Sequence, residues 1–131
     1  MVFSTKNREP LIEYSAEKSI YNYLREQLKE LECPAIMING MPDHIHILYF
    51  QHPKVSASNV AKQIKGSSSF WINNESLVEG HFAWQTGYSV FSVSESQKQK
   101  VQNYIMNQKI HHSKITFEQE VEEFQQLYKF K

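Results

Sequence analysis

The chain is poor in the residues that usually staple or fragment a fold. Of its 131 residues a single one is cysteine, Cys33. No internal disulfide is available, and a lone thiol suits a reducing compartment such as the cytoplasm. Four glycines and four prolines exclude collagen-like and low-complexity architectures. Neither sign of charge dominates, because 14 Lys+Arg balance 14 Asp+Glu. Bulk charge therefore gives no argument for nucleic acid, and any such site must be a local patch. No apolar run approaches a membrane span, and no basic segment followed by an apolar one reads as a secretory signal. What remains is ordinary globular material, 40% hydrophobic and 21% charged, of a length that suits one domain over 1–131 with no linker or repeat.

Local patterning orders the elements. Residues 2–5 read as the end of a strand, and Lys6–Pro10 as a polar turn closed by proline. Ser15 is the expected N-cap of a helix over about 16–32, with Ile20, Tyr23, Leu24, Leu28 and Leu31 at helical spacing. Ala35–Asn39 and His44–Phe50 read as two strands of an antiparallel hairpin turning at Gly40–Asp43. Ser56 opens a second helix with Val60, Ala61 and Ile64 on one face. Gly66 should weaken or kink it, since glycine inside a helix costs about 1 kcal/mol against alanine. Residues 73–80 read as a loop, and Tyr88–Val93 alternate as a strand. Ser94 with Gln97, and Thr116 with Gln119, have capping-box spacing, which predicts helices to about Lys109 and over 117–128. The order β-α-β-β-α-β plus two helices predicts an α+β fold: a ferredoxin-like or RRM-like antiparallel sheet with helices on one face and C-terminal helices added. Such a scaffold carries many functions, so function must come from residues.

Two groups of residues carry chemistry. In His44-Ile45-His46 the imidazoles lie two apart on a strand and share a face, which makes half of a metal site. The triplet alone is a weak signal, since an exposed polar face would look the same. Tyr104 and Gln108 stand at i and i+4 and share a helix face, with Val101 and Ile105 on the apolar side. Alone they read as a rim tyrosine and a solvated glutamine; they matter only if the fold brings them to the histidines. Asp43 should face away from His44 and serve as a turn cap or an orienting group rather than a ligand. His52 and His81 read as ordinary loop residues.

The segment Met41-Pro42-Asp43-His44-Ile45-His46-Ile47-Leu48 resembles the HUH motif of the single-tyrosine HUH transposases, the TnpA-type enzymes of small insertion sequences, to which the REP-associated tyrosine transposases are close. Four other segments agree in order: Phe3–Arg8, Ile64–Ser69, Trp84–Tyr88 with Phe91–Ser94, and Tyr104–Gln108 followed by His111-His112. The resemblance spans nearly the whole chain, and its specificity lies in the ordered set. At the N-terminal end the family usually has a longer lead-in, so weaker pairing of the first strand is expected.

The resemblance implies Tyr104 as nucleophile and His44 and His46 as ligands of a divalent metal, Mg²⁺ or Mn²⁺, with Gln108 the match for the third ligand. His111 and His112 are its nearest competitors. It further implies a homodimer that cleaves and rejoins single-stranded DNA at hairpin-bearing ends through a 5′-phosphotyrosine. Two imidazoles and an amide are neutral donors, so Mn²⁺ should serve at least as well as Mg²⁺. Candidate DNA contacts are Lys6, Arg8, Lys62 and Lys65, with Phe70, Trp71 and Trp84 as stacking candidates, at least two of which should be core. The alternatives are a domesticated relative, a non-catalytic ferredoxin-like nucleic-acid-binding module, and a hydrolytic metallophosphodiesterase that needs no tyrosine.

Overall fold

Alternation along two adjacent strands decides the architecture. In the computed structural model, which describes residues 1–111 and 119–122, β2 (Ala35–Met41) and β3 (His44–Tyr49) form the expected hairpin. They pair antiparallel, Ile38 with Ile47, Asn39 with His46 and Gly40 with Ile45. A side chain at Gly40 would lie 2.2 Å from the His44 carbonyl oxygen, so only glycine lets the strands approach this closely. The short strand β1 (Val2–Ser4) pairs with the other edge of β3, Val2 opposite His46 and Ser4 opposite His44. The sheet order is β1-β3-β2. All three residues of β1 are paired with β3.

Because successive strand residues point to opposite faces, the sheet has two different sides. Phe3, Ile38, Ile45 and Ile47 face one side and join the main core. Covering them are α1 (Tyr14–Glu30), which buries Ile20, Leu24 and Leu28, and α2 (Ala57–Asn74), which buries Val60, Ala61, Ile64 and Ile72. The opposite side carries His44, His46 and Leu48. There α3 (Lys98–Met106) lays Val101 and Ile105 against Leu48, with Phe91, Val93 and Tyr104 packed around them. Helices thus lie on both faces of the sheet.

Several local expectations are corrected. The N-cap of α1 is Glu13, so Ser15 sits inside the first turn. The entry is set by Ile12, fully buried and hydrogen-bonded through its N–H to the Pro42 carbonyl. The helix stops at Glu30 because Glu32 turns left-handed, with φ 59°. Ser56 does cap α2, accepting from the Asn59 N–H. That helix runs unbroken through Gly66 to Asn74, into the expected loop. Its buried face, with Ser68 accepting a hydrogen bond from the Trp84 indole, outweighs the cost of one glycine.

The expected strand over 88–93 does not form. Of that stretch only Ser89 pairs, in an isolated bridge to Val2, and a second bridge joins Trp84 to Thr5 just past β1. These bridges are three residues apart on the N-terminal segment but five apart on its partner, and Gly87 sits in the resulting bulge with φ 95°. The alternation at Phe91 and Val93 records burial against α3, not a hydrogen-bonded ladder. The expected helix to Lys109 is interrupted at Asn107, after which α4 (Gln108–His111) begins. Residues 119–122 are helical, within the expected last helix; the rest of it lies outside the described residues.

Candidate metal and nucleophile site

The polar side of β3 holds a buried cluster. His44, Gln108 and Glu120 are completely buried and His46 is 2% exposed. Burying such groups is costly unless they find partners or a ligand. The two imidazoles are neighbours, with ring centroids 5.4 Å apart, as the strand period requires. The Glu120 carboxylate closes the cluster. One oxygen contacts His46 Nε2, and the other lies 3.7 Å from His44 Nε2. One donor atom from each of His44, His46 and Glu120 falls within 4.8 Å of the others, a grouping that could hold a metal ion.

Asp43 does not face away from His44. Its carboxylate lies 2.7 Å from His44 Nδ1, which places the ring proton there and turns Nε2 toward Glu120. The Asp43 carbonyl in turn accepts from the Thr5 N–H and hydroxyl, so the turn and the end of β1 brace the histidine. Burial opposes protonation of His44, but the carboxylates of Asp43 and Glu120 outweigh it and raise its pKa. Burial dominates at His46 and lowers its pKa to about 4, against the pull of Glu120. Burial would raise the Glu120 pKa, yet the two histidines hold it well below the usual carboxylate range. The cluster thus carries an ionised Glu120 facing a neutral His46.

The tyrosine helix reaches the same place. The Tyr104 ring lies 5.9 Å from that of His46, edge to face, and its hydroxyl oxygen is buried. Gln108 follows across the break at Asn107. Its side-chain amide is buried, with no hydrogen-bond partner among the described residues. The docking of this region is polar. Asn39 donates to the carbonyls of Ile105 and Met106, at 3.0 Å each, and so satisfies the end of α3. Lys109 reaches back to Asn39 Oδ1, the Gly40 carbonyl and the Glu17 carboxylate. Beside His46, between β3 and α3, lies a largely apolar cavity of about 470 Å³ walled by Leu48, Val90, Phe91, Val101 and Ile105.

The basic candidates divide. Lys6, Arg8 and Lys62 are exposed. Lys6 and Arg8 flank Asn7 in a 3-10 turn where Asn7 and Arg8 both have positive φ, and the Asn7 N–H is held by the Gln85 side chain. Lys65 is partly buried and donates to the carbonyls of Gln85 and Gly87, each at 2.7 Å. Its ammonium therefore braces the bulged segment beside β1. Of the three stacking candidates, Trp84 is core and Trp71 stacks on Tyr23, which leaves Phe70 as the exposed one of the three. His52 lies 3.5 Å from the exposed Glu32 carboxylate, and His81 is an exposed loop residue. The side chain of His111, and His112, lie outside the described residues.

The fold brings together the two histidines and Tyr104 that the sequence singled out, and adds Glu120, which it did not. No spacing rule connects a glutamate on the last helix to a strand far back in the chain. Lys109 and Asn39 were missed for the same reason.

The profile of the IS200-like transposases matches residues 1–108, a stretch that includes both histidines, Tyr104 and Gln108. The chain belongs to this family. It is 25% identical over 113 residues to the ISDra2 transposase TnpA of Deinococcus radiodurans, covering 82% of this chain and 81% of that one. The fold is also that of a candidate transposase from Deinococcus radiodurans R1 solved by crystallography. That match has a TM-score of 0.63 and 24% identity, with 82% of this chain and 86% of the other covered. As an IS200-like transposase the chain acts in DNA transposition. Among the described residues no helix is long and apolar enough to cross a membrane.

Proposed function

We propose that this transposase works as a single catalytic domain over 1–131, a homodimer acting in the cytoplasm. It cuts and rejoins single-stranded DNA at hairpin-bearing insertion-sequence ends, with Tyr104 as nucleophile. The observation that carries this reading is the Tyr104 ring beside His46 in a buried cluster of polar side chains. The Tyr104 hydroxyl oxygen attacks the scissile phosphorus. The phosphorus–O3′ bond breaks, the 3′-oxygen leaves and takes a proton, and a 5′-phosphotyrosine remains. A later 3′-hydroxyl attacks that phosphorus and returns the tyrosine. One phosphodiester is exchanged for another, so no nucleotide cofactor is consumed.

The donor set fits a divalent metal. His44 presents Nε2 because Asp43 holds Nδ1, and the Gln108 amide is buried with no partner among the described residues. Mg²⁺ or Mn²⁺ held by His44, His46 and Gln108 would supply Lewis-acid charge against the phosphate's non-bridging oxygens. The protein's own residues do the rest. Asn39 and Lys109 fix the tyrosine helix on the hairpin. Lys6, Arg8 and Lys62 meet the DNA backbone, while Lys65 acts indirectly by holding residues 85–87. The apolar wall beside His46 suits an unstacked base next to the cut. The test is cleavage of labelled single-stranded hairpin DNA against the same sequence as a full duplex, with Mn²⁺ or with excess chelator. Metal-dependent cutting of the single strand alone is expected. Equal cutting in chelator would overturn the reading.

A further inference from the structure

Glu120 lies beyond the residues that the family profile matches, yet it is completely buried against the two histidines, with one carboxylate oxygen toward each Nε2. We infer that Glu120 is a ligand of the metal in this protein, and that it loads the site with a divalent cation before DNA arrives. The argument is one of donor chemistry. Two imidazoles and an amide are neutral donors, and hard cations such as Mg²⁺ and Mn²⁺ prefer oxygen, above all carboxylate. A site built of neutral donors alone holds such an ion poorly until a phosphate supplies anionic oxygen. Glu120 supplies that oxygen from within the chain. Its donor atom and those of the histidines already converge within 4.8 Å. The geometry is that of a ligand set rather than of a single pair, because the one carboxylate turns an oxygen toward each of the two imidazole Nε2 atoms. A consequence is that the chain beyond Gln108 is tied to the reaction centre through the ion, and the incoming phosphate must share the metal with Glu120. The inference rests on the proposed metal site but not on strand cleavage.

Mn²⁺ alone, with no DNA, is the probe. Titration of the full-length wild type, followed by calorimetry and by loss of the free-ion electron paramagnetic resonance signal, should give one bound ion per chain. Glu120→Gln keeps the shape and removes the charge; it should weaken Mn²⁺ binding at least tenfold, and Glu120→Asp should fall between. Glu122→Gln, changing an exposed neighbour on the same turn, should bind as the wild type does. In the wild type, Mn²⁺ should slow hydrogen exchange of the 119–122 amides, a readout that needs no variant to fold. Three results would overturn the inference: no Mn²⁺ binding without DNA, Glu120→Gln binding within twofold of wild type, or Glu120→Gln binding more tightly. If any of these occurred while single-strand cleavage persisted, Glu120 would be excluded as a ligand and the proposed reaction would stand. Binding as expected with no cleavage would point the other way.

Discussion

The two faces of β3 are equally buried and chemically opposite. Ile45 and Ile47 look toward α1 and α2, His44 and His46 toward α3 and Glu120, and all four are between 0 and 2% exposed. On the first face burial is its own reward, since every atom removed from water contacts carbon. On the second, the same degree of burial gathers imidazole, carboxylate and amide groups whose desolvation opposes folding. The buried polar positions of β3 thus oppose folding, which is what the proposed metal site requires of them. The comparison also explains the surrounding polar work. Asp43, Asn39 and Lys109 brace the second face, while the first needs only complementary shape.

Exchanging the chemistry of the two faces should break that contrast. The largest expected effect is on activity. Tyr104→Phe should abolish strand cleavage while leaving the melting temperature nearly unchanged, read by a gel cleavage assay and a thermal melt. Next, Ile45→Ala should destabilise the fold by about 2–5 kcal/mol through the cavity it leaves, measured by urea unfolding. The matched change on the other face, His46→Leu with Glu120→Leu, should leave stability unchanged or raise it by about 1–4 kcal/mol, while eliminating Mn²⁺ binding. A loss of stability as large as that of Ile45→Ala would mean the polar face is structural.

The acid–base state of the cluster sharpens the comparison further. The His44 pKa is raised by Asp43 and Glu120, so a proton competes with a cation for its Nε2. Metal affinity should therefore rise with pH as His44 loses that proton, and Asp43→Asn should move the rise to lower pH. Calorimetric titration at several pH values reads this directly. The smallest effect belongs to the periphery. Lys62→Ala should weaken single-stranded DNA binding about equally for all sequences and reduce the salt slope by about one ion or less.

How much of this was legible in the sequence follows the same division. Part of the apolar face was legible, because helical spacing along 20–28 and 60–64 is a local signal; Ile20, Leu24, Leu28, Val60, Ala61 and Ile64 are buried as read, whereas Ile12, Ile38, Ile72 and Phe82 join the core through tertiary packing. The His pair and its hairpin were legible from local signals too. Tyr104 and Gln108 acquired meaning only from the ordered resemblance, since an i,i+4 pair is commonplace, and the helix break between them left no mark in composition. Glu120, Asn39 and Lys109 were not legible because their partners are set by tertiary packing. Tyr88–Val93 misled because alternation reports burial, whoever supplies the covering surface; here α3 does so and no ladder forms. Lys65 looked like its exposed neighbour Lys62 until the Gln85 and Gly87 carbonyls appeared at its ammonium.

The measurement that bears most directly on the central claim is the covalent adduct. The protein would be incubated with single-stranded hairpin DNA and Mn²⁺, denatured, digested with protease, and the modified peptide located by mass spectrometry. A 5′-phosphorylated nucleotide on Tyr104, absent from Tyr104→Phe, is the predicted result. Cleaved DNA with no protein attached, or an adduct that survives in Tyr104→Phe, would contradict the account.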